Sequence, residues 1–405
     1  MLTALTIEEA KKIIRENTSF ILEFEIVDIE MCLGRIIAED IVSDNNVPGF
    51  KRSTMDGFAV RTSDIEAATG KLPVKLKVLG EIEIGIESHF KILRGECVYI
   101  PTGGMLPTGA DSILIIEKAE DLKSGYILAF DKTFEGENIV LEDEDVSIGE
   151  IVIKKGVKIR PYEIGVLSCI GCTSLKVYKK PRIGILSTGD EIVSPYIIPR
   201  RGQVRDINTY LLSALIIEYS CDAVIYKVTN DNFDELYDNV KKAINECDIV
   251  LISGGSSVGI KDYTLKVLKT MENSEILLHG LALKPGKPTI VAKCNNKMVF
   301  GMPGHPLSGA VVYKTLVCYY IDQITSHINK NYPIFCEITI DRKKTRDREE
   351  YIPVVIEERD GKLMATPMMG KSGIITTFSK SWGYFKTPRE LEVVKAGEIV
   401  EVYRL

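Results

Sequence analysis

No apolar run in this 405-residue chain approaches the ~18 residues that a membrane-crossing helix needs. The first residues, Met1-Leu-Thr-Ala-Leu-Thr-Ile-Glu-Glu-Ala10, pass directly into an amphipathic helical pattern that Thr6 can cap. No signal peptide is therefore expected, and a cytoplasmic location is. Basic residues are not in excess: 51 Lys and Arg stand against 57 Asp and Glu, a net charge of -6, which leaves no broad cationic surface for nucleic acid. Any anion site must be local. A disulfide framework is also missing, because the nine cysteines are an odd number scattered through strand-like and helical segments, as in a reducing compartment. Cys169-Ile-Gly-Cys172 is a lone C-x-x-C without a second pair or a nearby histidine, and reads as packing rather than as a redox or zinc motif. No fixed-period repeat is visible.

What the chain does have is Ser253-Gly-Gly-Ser-Ser-Val-Gly259, set between an apolar strand pattern, Asp248-Ile-Val-Leu-Ile252, and a helical pattern from Asp262 to Met271. A strand that ends in glycines and opens a helix offers unpaired backbone N–H groups and the positive end of a helix dipole, which suits a phosphate. Further on, Lys284-Pro-Gly-Lys287-Pro288 places two cations three residues apart across a Pro-Gly turn, a compact arrangement for a second oxyanion. Together they point to a phosphorylated ligand plus another anion.

At ~100–200 residues per domain the length predicts two to four domains. Residues 1–46 read as helical, including a helix over Val27–Arg35 ending near Gly34, and pair with 147–178 in one discontinuous scaffold domain. Residues 47–146 carry short alternating strands broken by Gly and Pro, a small β domain. Between 179 and 331, buried strands (Ile183–Leu186, Ala223–Tyr226, Ile249–Ile252) alternate with helices (Asn208–Tyr219, Asp231–Asn245), which predicts a doubly wound α/β domain. Ligands of such sheets sit beyond the carboxyl ends of the strands, where Ser187-Thr-Gly-Asp-Glu191 and Ser253–Gly259 both fall. Residues 332–405 return to alternating strands, a C-terminal β domain.

Seven blocks, in order, resemble the molybdopterin molybdenumtransferase family, the MoeA proteins and the E domain of gephyrin. They are Val47–Val60 around Ser53-Thr-Met-Asp56-Gly, Pro101–Asp111, Gly136–Ile139 with Glu144-Asp-Val146, Ser187–Glu191, Ser253–Asp262, Leu281–Pro288 and Gly301-Met-Pro-Gly-His-Pro306. One glycine loop is weak evidence; seven ordered blocks are not. The resemblance implies a homodimer of four-domain subunits that uses Mg2+ to cleave adenylylated molybdopterin while molybdate enters the dithiolene, releasing AMP. It implies a molybdopterin adenylyltransferase as upstream donor, and a cleft between the α/β domain (molybdopterin-binding) of one subunit and the β domain of the other.

Asp56 precedes Gly57 in a pair common in turns, yet the resemblance puts it in the cleft, where a carboxylate could bind Mg2+ or position water. Asp145 belongs to the acidic run Glu142–Asp145, a solvated face by composition, and matches the family's cleft acid. Asp190 and Glu191 follow a strand; turn or cap roles compete with a Mg2+ shell. Asp262 either caps the next helix or holds Mg2+ against phosphate. Catalytic expectations are thus Asp56, Asp145, Glu191 and Asp262, with Asp190, Glu191 and Asp262 as metal ligands. Ligand-binding expectations are Thr102, Ser187, Thr188, Gly189, Ser253, Gly254, Gly255, Ser256, Ser257 and Gly259. Lys284, Lys287 and Pro288 match the family's molybdate site, and Arg348 and Ser372 match more loosely in the C-terminal domain.

The chain departs from the family pattern at Val140, where an arginine is usual, at Asp143, where glycine is usual, at Ser256 in the glycine loop, and at His305, where asparagine is common. Rival readings are a pterin- or AMP-binding carrier or scaffold without insertase activity, and a molybdopterin adenylyltransferase, which shares the α/β domain. The additional β domains and the Lys-Pro-Gly-Lys-Pro turn favour the later step. Tungstate matches molybdate in size and charge, so the sequence leaves the two open.

Overall fold

The first helix, Ile7–Asn17, is closed by a capping box in which the Thr6 hydroxyl accepts from the Glu9 amide at 3.2 Å and the Glu9 carboxylate accepts from the Thr6 amide at 2.8 Å. Its apolar stripe, Ile7, Ala10 and Ile14, is buried among Ile183, Leu316 and Tyr320, so this helix completes the α/β core rather than the scaffold domain expected for it. The computed structural model describes residues 4–254, 263–327, 332–345, 347–368 and 373–404. Among them no helix is long and apolar enough to cross a membrane.

Two distant segments share the next core. Strand Phe24–Asp28 pairs antiparallel with Ser174–Tyr178, and Ile41–Val42 with Ile151–Ile153. Cys32, Ile37, Ile159, Leu167 and Val177 meet beneath the helix Pro161–Cys169. The helix expected over Val27–Arg35 is instead a strand end and a single 3-10 turn, Ile29–Met31. Burial alternates residue by residue along Phe24–Asp28, the two-residue period of a strand, and that period outweighs helical propensity.

The β unit has a six-stranded sheet ordered Ser112–Ile115, Gly57–Val60, Glu96–Ile100, Val74–Glu81, Tyr126–Ala129 and Ala119–Asp121. All of Gly57–Val60 is buried, because Phe58 and Val60 face one apolar cluster and Ala59 the other. Asp56 enters this strand, and the pairing of Arg52–Ser53 with Ile139–Val140 brings two of the sequence blocks side by side.

The α/β sheet runs Asp222–Ile225, Arg182–Ser187, Ile249–Ser253, Lys297–Met302, Ile290–Cys294, Ser274–His279; the first four strands are parallel. One face is covered by helices including Asn208–Glu218 and Cys318–Thr325, the other by Phe233–Glu246 and Tyr263–Thr270, as doubly wound packing requires. Ser187 pairs with Ser253 and Ser253 with Met302, so three strands end level and their loops open on one edge.

In the C-terminal unit, Glu349–Arg359, Lys362–Pro367, Ile334–Ile338, Ile399–Arg404 and Gly383–Thr387 close into a barrel around Ile338, Ile352, Val354, Phe385 and Val402. A two-residue strand from the α/β unit, Leu283–Lys284, joins it in parallel with Leu283 opposite Glu349 and Lys284 opposite Glu350.

Asp322 lies in the helix packed where the scaffold and α/β units meet. Burial pushes its carboxyl up to about 7, and a hydrogen bond from the Tyr219 hydroxyl at 2.7 Å together with the Lys158 charge offsets only part of that. With the folded value above the unfolded one, the group stabilises fully below about pH 4 and loses that contribution as pH rises to about 7. Asp322→Asn is expected to leave stability almost unchanged at pH 4 and to raise Tm at pH 8, so thermal melts across this range should show a growing gap in the variant's favour.

Candidate active site

The parallel strands deliver Thr188, Gly189 and Glu191 from one loop and Gly254 from the next to a cavity of about 920 Å3. The lysine turn and the barrel supply its other wall, with Lys284, Pro285, Gly286, Lys287 and Pro288 facing Arg342, Arg348 and Glu350. Acidic Glu191 and Asp231 come from the α/β loops, whereas the cations come from the turn and the barrel. The cavity is therefore anionic toward one domain and cationic toward the other, Glu350 being the exception. A chain of net negative charge thus presents a local cationic wall.

Two glycines are required by this geometry. Gly254 has φ +106°, and a Cβ there would stand 2.2 Å from the Thr188 carbonyl oxygen. Gly286 has φ +133°, and a Cβ would press on Leu283 Cδ2 at 2.7 Å. Each close approach draws the loop against the strand edge and opens room in front of it.

The expected ligand-binding hydroxyls divide. The Thr188 side chain lines the cavity and donates to Asp231 Oδ1 at 3.1 Å. Ser187 and Ser253 are each 3% exposed and turn inward: Ser187 Oγ meets Thr209 Oγ1 at 2.8 Å, and Ser253 Oγ accepts from Asn208 Nδ2 at 2.7 Å. Asn208 also donates to the Gly304 carbonyl at 2.7 Å and so ties the glycine loop to the Gly301–Pro306 block. Asp190 accepts the Asp231 amide at 3.0 Å and lies outside the cavity lining, a loop-holding contact. Glu191 lines the cavity. The expectations at Gly255, Ser256, Ser257, Gly259, Asp262 and Ser372 fall outside the described residues.

On the cationic wall, Lys284 Nζ donates to Thr345 Oγ1 at 2.6 Å and to Glu350 Oε1 at 3.1 Å, while Lys287 and Arg348 line the cavity beside it. His305 borders the same cavity from the Pro-Gly-His-Pro loop.

Asp56, Thr102 and Asp145 do not line this cavity. All three are in the β unit. Asp56 Oδ1 accepts from the Thr102 amide at 2.7 Å and the Thr102 hydroxyl at 2.8 Å, which holds its carboxyl below the usual carboxylate range although it is open to solvent. Asp145 is exposed, and its amide donates to the Val47 carbonyl at 3.0 Å. Val140, where the family pattern has a cation, stands opposite Arg52 in the strand pair.

Sequence reasoning missed Asp231, Asn208 and Glu350. Asp231 follows the strand Asp222–Ile225, whose carboxyl end points to the same edge, and this position was its signal. Glu350 is the second residue of the strand Glu349–Arg359 and carried no local signal of its own. Among the described residues no group of three or more His, Cys, Asp or Glu forms a self-sufficient metal cage, and all nine cysteines are free thiols, with Cys169 exposed and Cys172 half-buried.

Three family profiles tile the chain: the MoeA N-terminal region (domain I and II) over residues 5–171, a probable molybdopterin binding domain over 184–323, and the MoeA C-terminal region (domain IV) over 337–405. The molybdopterin molybdenumtransferase of Staphylococcus epidermidis is 29% identical over 404 residues, covering 99% of this chain and 95% of that protein. That of Staphylococcus aureus is 34% identical over 300 residues, 74% of this chain and 70% of its own. The crystal structure of a molybdopterin biosynthesis MoeA protein from Pyrococcus horikoshii superposes with a TM-score of 0.87 at 26% identity, each chain being covered fully. By the match of all three regions in order, by its likeness to these relatives along their length and by its four-unit fold, the chain belongs to the MoeA family of molybdopterin molybdenumtransferases, enzymes of molybdenum cofactor biosynthesis.

Proposed function

We propose that this chain takes adenylylated molybdopterin from an upstream adenylyltransferase, inserts the metal of molybdate into its dithiolene and releases AMP. The observation that carries the proposal is the single cavity in which the phosphate-side loop Thr188–Glu191 and Gly254 face the turn Lys284-Pro-Gly-Lys287 and Arg348. One wall suits a diphosphate, the other a tetrahedral oxyanion.

In this reading Lys284, Lys287 and Arg348 bind molybdate by charge-assisted hydrogen bonds, and the Pro-Gly turn limits the entropy lost in doing so. Thr188 and the backbone around Gly254 hold the phosphate side. Water attacks the adenylyl phosphorus, its oxygen becomes part of AMP, and the P–O bond to the molybdopterin phosphate breaks. Asp56, low in pKa and fixed by Thr102, orients that water as a charged acceptor, and Asp145 is the second acid of this reading.

The donor set fits Mg2+. That ion takes one or two carboxylates plus water and substrate phosphate, and Glu191 and Asp231 offer hard oxygens in the cavity; Asp262, which follows the glycine loop in the sequence, is the further acid of this reading. Bound there, Mg2+ would neutralise diphosphate charge. Asp190 supports this pair through the Asp231 amide.

Asp56, Thr102 and Asp145 reach the cavity of another copy in this reading, so the functional unit is a homodimer with two shared clefts. The barrel and the lysine turn favour insertion over adenylylation, because a nucleotidyl transfer needs no second oxyanion wall.

Anaerobic turnover with Mg2+, adenylylated molybdopterin and molybdate should yield AMP and metal-loaded pterin together; tight ligand binding without either product would establish a carrier instead. Asp56→Ala and Lys287→Ala should each lose at least ~100-fold in turnover while their melting temperatures stay close to that of the unchanged protein, since both side chains are exposed. Mixed dimers of these two variants should regain activity, because one of the two clefts then holds both intact residues. Thr102→Val removes one donor to Asp56 and raises its pKa, so the acid limb of the pH–rate profile should move to higher pH.

A further inference from the structure

Glu350 has a role that the molybdate-binding cations alone do not explain. It is 2% exposed, yet it borders the cavity; its carboxylate accepts from the Thr345 amide at 2.7 Å and from Lys284 Nζ at 3.1 Å, and the Arg342 guanidinium stands 3.9 Å from its second oxygen. Burial pushes this carboxyl up, but the Thr345 and Lys284 donors outweigh burial and hold it below the usual carboxylate range. It is therefore charged at neutral pH. The parallel pairing of Lys284 with Glu350 explains why the two side chains meet.

An ammonium group has three N–H donors. Lys284 gives one to Glu350 and one to the Thr345 hydroxyl, which leaves the third for whatever occupies the cavity that it lines. Its direction is thereby set before a ligand arrives. Its charge is also partly offset, because the carboxylate of buried Glu350 accepts from it at 3.1 Å.

We infer that Glu350 is a positioning residue that aims Lys284 at the oxyanion and weakens the cationic wall's hold on it, so that a tetrahedral dianion is captured loosely enough to react. This rests on the assignment of the lysine turn to molybdate. Ground-state binding that is not carried into the transition state slows the chemical step, and a wall of Lys284, Lys287, Arg342 and Arg348 without a counter-charge would hold a dianion too well.

Glu350→Gln separates the two effects of the carboxylate. It preserves shape and an accepting oxygen but removes the charge. Lys284 therefore keeps its acceptor and its aim, while loss of the counter-charge strengthens the pull on a dianion in the same cavity. The expected result is a KM for molybdate lowered by about tenfold together with a kcat lowered by about tenfold, and stronger inhibition by sulfate. Glu350→Asp, which retains the charge, should restore values near those of the unchanged protein. A merely structural lesion would instead lower kcat with KM unchanged or raised. Calorimetric titration of molybdate into the Gln variant without pterin gives the same comparison without turnover, and a thermal melt confirms that it is folded. An unchanged or raised KM and Kd in a folded Glu350→Gln protein would overturn the inference. Failure of the unchanged protein to bind molybdate at all would mark the oxyanion assignment itself as the fault and remove the inference with it.

Discussion

The pairing of Leu283–Lys284 with Glu349–Glu350 is the contact on which the site depends. These two residues leave the α/β sheet and hydrogen-bond to the barrel, so the turn that follows them is clamped between domains. Gly286 lets that turn pack on Leu283, where any side chain would collide. The cavity exists because this strand holds the cationic wall in front of the level strand ends of the α/β sheet. Were the barrel displaced, Lys284 would lose both of its partners and Arg348 would leave the wall, while the loop at Thr188–Glu191 would remain in place.

The same arrangement explains how an acidic chain makes an anion site. The cations are gathered locally at the turn and barrel, and the acids Glu191 and Asp231 are kept at the opposite wall by strand ends and by the Asp190 contact. Segregating the charges lets one cavity address two ligand groups, the oxyanion on one side and a phosphate with its cation on the other. Small distances matter here, because Lys284 aligns through contacts of 2.6 and 3.1 Å.

Much of this was legible in the sequence where a local rule determines structure. The α/β unit followed from long buried strands alternating with helices, and the lysine turn from its prolines and glycine. The cap at Thr6 was visible in the same way. What local rules could not supply was partnership. The two-residue strand Leu283–Lys284 is too short to show a period, and nothing near it names a barrel strand 66 residues away as its mate. Glu350 reads as one acid in a charged stretch until its burial is known. The helix Ile7–Asn17 shows its apolar stripe plainly but not which core receives it, and Val27–Arg35 reads as helix because the alternating burial of its strand appears only against Ser174–Tyr178. Ser187 and Ser253, expected to reach a ligand, serve instead to fix the strand ends.

The central claim is that the wall of Lys284, Lys287 and Arg348 is the oxyanion site. Tungstate has the size and charge of molybdate and scatters anomalously, so a crystal of the protein grown with tungstate locates the ion directly. The account predicts an anomalous peak in the cavity within hydrogen-bonding distance of Lys284 Nζ. A peak confined to the Thr188 and Gly254 loops, with the lysine wall empty, would contradict it.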